Sequence, residues 1–461
     1  MKNQINNNYI IEIKKFTELA WPLTMSRLIY VLTPFMATFF MAKFGSNELA
    51  ALALGSRIFM LVYIFIFGLF SSVSVLVSHH YGAKREEGVT VTVVQGLYLS
   101  LIGVIPFSLL LYLVTYLVSF TKINHDVLYL VILYIRLGIL SLLPAQLLEV
   151  FDRFLIGIGE TRLVFVLSLL QVPIEIFAMY VLVFGKLGLP ELGFAGVPLA
   201  YFVAFSLEVF VTVIVLFFIK TARNYFRQKY LWRFNKNCFY EMIRVGFPIA
   251  ITRSIEALAL ALMVLMIGHF GEDQLAAYQI VWQYFTVIII IALSLAESIA
   301  IRVGHEAGRK DNAALKHAVK TNFVFSLALM VFFAIVFSLL SKPMIALDIN
   351  VSQVKFFELI RYAKLFFIMA AIWLVVDHVR IYVTGALRGL KDTRYPMFVS
   401  AIGFFGVGVL ASYLLGFIFH FDSMGIWAGM IIGIMFSAGI ICVRLIKQLS
   451  KLRVIENEKS I

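Results

Sequence analysis

Apolar residues fall along this chain in long blocks, most near 20 residues or more, separated by short polar breaks. About 20 apolar residues, at ~1.5 Å rise each, carry a helix across the ~30 Å hydrocarbon core of a bilayer. Twelve blocks read this way, near 16–41, 48–79, 90–119, 126–151, 163–185, 194–219, 241–269, 275–303, 315–341, 355–386, 396–419 and 425–446. Alternation at period two is absent, which argues against a membrane barrel. The polar stretch from Thr221 to Asn237, "TARNYFRQKYLWRFNKN", divides six blocks from six.

The two halves resemble each other. At a shift of 226, "ELAWPLTMSR" (Glu18 to Arg27) lies over "RVGFPIAITR" (Arg244 to Arg253). The same shift pairs Gly45 with Gly271, His79 with His305, Gly82 with Gly308 and Lys84 with Lys310; at 232, "GIGETR" from Gly157 pairs with "GLKDTR" from Gly389. A shift of six spans keeps both halves in one orientation, as parallel repeats require. The expected fold is an all-α polytopic membrane protein with twelve transmembrane helices. They form two six-helix lobes related by a parallel pseudo-two-fold repeat around a central cleft. The N-lobe spans 1–220, a cytoplasmic linker 221–239, and the C-lobe 240–461. Gly425, Gly429 and Gly433 either pack the last span closely on a neighbour or reflect the general frequency of glycine in membrane helices.

Composition agrees with a membrane protein. The 461 residues are 62% hydrophobic and 14% charged, with a mean hydropathy of +0.95, against about 45–50% and about 25% for soluble domains. Lys and Arg gather in alternate loops, among them Lys84 and Arg85, Arg223 to Lys236, Arg309 to Lys316, and Arg388 to Arg394. The positive-inside rule makes those loops, and both termini, cytoplasmic. The net charge of +13 expresses this bias rather than a nucleic-acid surface. Cys238 and Cys442 sit near that face, where a disulfide is not expected.

Seven acids lie inside or at the ends of the apolar blocks: Glu149, Asp152, Glu175, Glu208, Glu256, Glu297 and Asp377. Buried in low dielectric, a carboxyl either keeps a proton or captures a cation, so each is a candidate carrier. Glu256 and Asp377 have a competing reading, because Arg253 and Arg380 stand three residues away on the same helical faces. Glu149 and Asp152 beside Arg153 suggest a local ion-pair cluster. Glu175 follows Pro173, whose ring frees a backbone carbonyl, and is a possible secondary acid. Glu208 and Glu297 are expected to be structural, His79 and His305 to cap or pack helix ends. His378 points about 100° away from Asp377.

Four stretches carry a family resemblance: "GFPIAITRSIEALALALMVLMIGHFGEDQLAAYQI", "AIRVGHEAGRKDNAALKHAV", "GKLGLPELGFAGVPLAY" and "VTGALRGLKDTRYPM". The chain resembles the multidrug and toxic compound extrusion (MATE) transporters of the NorM-type branch over nearly its whole length. The resemblance implies a secondary antiporter that exports lipophilic organic cations, drugs and dyes among them, in exchange for Na⁺ or H⁺. It also implies a cation-coupling pair, with Glu256 and Asp377 as ligands for Na⁺, the preferred ion. Where such sequences usually carry a first-helix Asp, this chain has Ala37, which shifts the expected ion load to the C-lobe. Candidate cleft residues are Tyr30, Phe35, Tyr278, Trp282, Tyr284, Trp373 and Tyr382, able to hold flat cations by dispersion and cation–π contact.

The alternatives are a lipid-linked oligosaccharide flippase of related architecture and a membrane-embedded enzyme. Buried acids such as Glu175, Glu208, Glu256 and Asp377 within the spans argue against a cleft built for pyrophosphate. No phosphate loop, HExxH or nucleophile–base motif appears, so no enzyme activity and no cofactor are expected. The protein is expected to be a monomer in a bacterial inner membrane.

Overall fold

Prolines and glycines set the bends and turns of this chain. The computed structural model describes residues 2–120, 124–226, 232–350 and 353–459. Among the described residues, twelve helical segments are long and apolar enough to span a bilayer. They are α1 (Asn8–Met41), α2 (Ser46–Gly82), α3 (Glu86–Val118), α4 (His125–Ile158), α5 (Thr161–Phe184) and α6 (Gly193–Phe218). The second set is α7 (Lys236–Gly268), α8 (Glu272–Arg309), α9 (Asn312–Leu339), α10 (Phe357–Gly389), α11 (Arg394–Ile418) and α12 (Asp422–Leu452). The protein is a multi-pass all-α membrane protein of six plus six helices.

The repeat extends to backbone conformation. Gly45 and Gly271 have φ of 149° and 119°, Lys84 and Lys310 have 55° and 62°, and Gly159 and Lys391 have 90° and 61°. Each pair is related by the shift of 226 or 232, so three interhelical turns recur as left-handed turns. One helix crossing recurs too. A Cβ on Gly157 would meet Val77 at 2.6 Å and the Ser74 carbonyl at 3.1 Å. On Gly389 it would meet Val303 at 2.7 Å and the Ala300 carbonyl at 2.5 Å. Glycine is required at both crossings because no side-chain atom fits.

Packing divides the chain into a first unit, Pro22–Ala250, and a second, Met1–Trp21 with Ile251–Ile461. The divisions fall inside α1 and α7, next to the repeat-mates Pro22 and Pro248. Each ring leaves a carbonyl one turn earlier without its donor. The units thus keep the halves of the repeat but exchange the beginnings of their first helices. The 221–239 linker lies partly outside the described residues, at 227–231. Its described ends are fastened to α3 in the first unit. Thr90 Oγ1 donates to the Tyr225 carbonyl (2.6 Å) and Gln95 Nε2 to the Arg233 carbonyl (3.1 Å). Burial beside Tyr81 and Glu86 pushes the Tyr225 phenol up to about 12.

In the second unit, Gly425, Gly429 and Gly433 do pack tightly. A Cβ on Gly429 would lie 2.1 Å from the Ser412 amide nitrogen, and one on Gly433 would lie 2.4 Å from the Gly403 carbonyl. α11 meets this face with π-helical turns over Ile402–Val409 and Leu414–Ile418. A second anchor in this unit ties down the start of the chain. Arg302 on α8 forms a two-pronged pair with Glu12 (3.0 and 2.8 Å) and also reaches Glu306 (3.0 Å). Asn322 donates to Glu12 at 3.1 Å. Phe16 and Ala20, one and two turns past Glu12, join the apolar core of the same unit.

Candidate functional site

In the second unit, α7 and α10 each present an acid and a base one turn apart. Arg253 Nη1 lies 3.2 Å from Glu256 Oε2, and Arg380 Nε lies 2.6 Å from Asp377 Oδ1. Arg380 also crosses to α7, its Nη1 lying 2.6 Å from Glu256 Oε1. One guanidinium therefore joins both acids, and the two acids are matched by two bases. The Arg380 guanidinium also stacks 4.9 Å from the Phe404 ring centre. Arg388 is the next charge near this group, with Glu297 among its own charged neighbours. His378 turns away, its Nε2 lying 2.9 Å from Ser326 Oγ on α9.

The first unit holds a differently constituted polar group. The Tyr30 hydroxyl, beside the break in α1, donates to Gln171 Oε1. Gln171 Nε2 in turn donates to Glu175 Oε1 at 2.6 Å, one turn along α5. α1 breaks at Val31 because Pro34 cannot donate to the Tyr30 carbonyl. Glu208 on α6 is 5% exposed, and its Oε2 has no hydrogen-bond partner. Its charged neighbours are Asp152 and Glu175, acids both. Both side-chain polar atoms of Gln146 are likewise buried without partners, and the Thr33 hydroxyl lies beside Glu175. On α4 the expected ion pair forms between Glu149 and Arg153 (2.6 Å), with Arg153 stacked 4.1 Å from the Phe67 ring.

The family model for MatE matches residues 22–181 and 248–414. Both matches begin at the repeat-mate prolines, 226 residues apart. The chain belongs to the MatE family. Among its MatE relatives, the "Probable multidrug resistance protein NorM" of Bacillus cereus is 26% identical over 457 residues, covering 97% of this chain and 98% of that one. The protein of the same name from Neisseria meningitidis serogroup B is 26% identical over 435 residues, 93% of each chain. A crystal structure of MATE in the bent conformation superposes with a TM-score of 0.86 at 16% identity, over 96% of this chain and 97% of the other. The eukaryotic MATE transporter AtDTX14 gives 0.81 at 21% identity, over 96% and 99%.

Within this MatE fold the expected residues are distributed unevenly. Glu256 and Asp377 come together, joined by Arg380. The pairing with guanidinium that competed with an ion-coupling role is the arrangement present. Glu175 meets Gln171 rather than a carbonyl freed by Pro173. The Ala37 side is apolar and buried, at 2% exposure. Of the aromatic residues expected at a cleft, Tyr278, Trp373 and Tyr382 belong to the second unit's core. The Tyr382 hydroxyl donates to the Val319 carbonyl (2.9 Å), and Tyr278 stacks on Trp282 with ring centres 5.4 Å apart. Tyr284 donates to Asp348 Oδ2 at 2.9 Å. Phe35 is exposed on α1 and Tyr30 sits in the first-unit polar group.

Two features escaped the sequence. The Glu12–Arg302 pair joins residues 290 apart and no local spacing announces it. Glu208 reads as one more buried acid, and only its missing partner separates it from the others.

Proposed function

We propose that this MatE-family protein is a multidrug efflux transporter, not an enzyme. It exports lipophilic organic cations in exchange for H⁺, with the proton carried by Glu175 and Glu208 in the first unit. The observation that carries this reading is the buried, unpartnered Glu208 oxygen, with the acids Asp152 and Glu175 as its charged neighbours. Carboxylates gathered in a low-dielectric interior share protons or a bound cation. Tyr30, Thr33 and Gln171 add the neutral donors and acceptors that such a site needs. A protonated pair no longer attracts an organic cation, and an ionised pair does. Proton and drug then bind exclusively of one another, which couples their opposite movements.

Na⁺ at Glu256 and Asp377 is the weaker assignment, because Arg253 and Arg380 already supply the positive charge that an ion would bring. Their removal would leave buried charge unpaired. The names of the relatives support drug efflux, their bacterial sources support a bacterial inner membrane, and the bias of Lys and Arg supports cytoplasmic termini. The protein is proposed to work as a monomer.

The test uses the purified protein in liposomes loaded with ethidium. An outside-acid pH gradient should drive export in the wild type and fail in Glu208→Gln and Glu175→Gln. A Na⁺ gradient that drives export at constant pH, lost in Asp377→Asn but kept in Glu208→Gln, would move the coupling site to the second unit.

A further inference from the structure

A groove of about 570 Å³ lies between α1 and α5 of the first unit. Ile29, Leu32 and Phe40 form one wall, and Val172, Ile176 and Tyr180 the other. Leu32 is 50% exposed and Tyr180 43%, so the groove opens outward. Its lining is apolar throughout and suits a hydrocarbon chain.

Three features define what fits. The first is length. Ile29 to Phe40 and Leu169 to Tyr180 each advance eleven residues (40 − 29 and 180 − 169), about 16 Å at ~1.5 Å per residue. That is about half of a ~30 Å hydrocarbon core, one leaflet deep. The second is direction: Phe40 and Tyr180 meet at one end, with ring centres 6.3 Å apart. The third is charge. At that end the Lys43 ammonium lies 4.9 Å from the Phe39 ring centre and 5.6 Å from that of Phe184. Phe184 in turn packs 5.4 Å from Phe40. Among the described residues no carboxylate pairs with Lys43. A lysine among aromatic rings is the composition of the membrane–water interface, and its long stem lets the ammonium reach a headgroup.

We propose that this groove binds an acyl chain of an anionic phospholipid whose phosphate is held by Lys43. The chain would lie against the break of α1 at Val31, beside Pro34, and against Pro173 of α5. It would thereby support the bend of α1 that brings Tyr30 to Gln171. The binding site stands independently of the coupling ion, and its test requires no transport.

The full protein in phosphatidylcholine nanodiscs, with or without phosphatidylglycerol, is exposed to two phospholipid probes carrying a photoreactive acyl chain. One has a phosphatidylglycerol headgroup, the other phosphatidylcholine. Labelled peptides are then mapped by mass spectrometry. The anionic probe should label residues 29–40 and 169–180 about fivefold more than the zwitterionic one, the advantage expected from one basic residue near anionic lipid. Unlabelled phosphatidylglycerol should compete. Lys43→Gln, a change at an exposed side chain, should abolish the preference and leave the unfolding temperature unchanged. Leu32→Trp should reduce labelling by both probes. Equal labelling by the two headgroups, or a preference that survives Lys43→Gln, overturns the proposal.

Discussion

Replacing Arg380 by methionine isolates the electrostatic core of the second unit. The guanidinium makes two 2.6 Å charge-assisted contacts, to Asp377 and Glu256, and its side chain is 3% exposed. The partner side chains are 10% and 13% exposed, so surface screening is slight. Hydrogen bonds to charged groups contribute about 1.5–3 kcal/mol each, and breaking one side of a buried pair costs about 3–5 kcal/mol. Glu256 keeps Arg253, which limits the loss on α7. Asp377 loses the guanidinium on its own helical face. The expected destabilisation is therefore about 3–4 kcal/mol, set mainly by Asp377. Adding Asp377→Leu removes the stranded charge and should return most of that stability, because an apolar replacement of a buried pair is often neutral. Reversible denaturation in detergent, followed by tryptophan fluorescence, reads both variants. Equal stability of wild type and Arg380→Met, or a double variant no better than the single, would refute the assignment of Arg380 as the bridge.

The helix crossings make their own forecast. Gly385→Ala would set a Cβ 2.2 Å from the Ala296 carbonyl, and Gly429→Ala would strike the Ser412 backbone; both should lower the yield of folded protein on size-exclusion chromatography. Gly439→Ala, with nothing within 4 Å, should be neutral or gain about 1 kcal/mol of helix propensity. Glu12→Gln leaves Arg302 facing only Glu306 and should cost about 2–4 kcal/mol, whereas Glu12→Leu with Arg302→Met should recover much of it in the same denaturation assay. Tyr30→Phe removes one donor to Gln171 and should cost about 1 kcal/mol while slowing proton-driven efflux.

The fold was readable because it rests on signals that survive in one dimension. Span length follows from bilayer thickness, and the repeat keeps Pro and Gly in register where backbone geometry demands them. Gly45 and Gly271 share a left-handed turn, and Gly157 and Gly389 share a crossing too close for a side chain. The polar groups were harder. Arg380 stands three residues from Asp377, so that pair is visible in the sequence, but its reach to Glu256 spans 124 positions and depends on how α7 meets α10. Aromatic residues were the least informative. Tyr278 and Trp373 bury large rings in a core just as they would line a cavity, and no periodicity separates the two.

Ethidium export driven by a proton gradient alone, compared between wild type and Glu208→Gln in liposomes of matched Na⁺, bears most directly on the coupling mechanism. Strong export by the wild type and none by a folded Glu208→Gln protein is the predicted result. Undiminished proton-driven export by that variant would contradict the account.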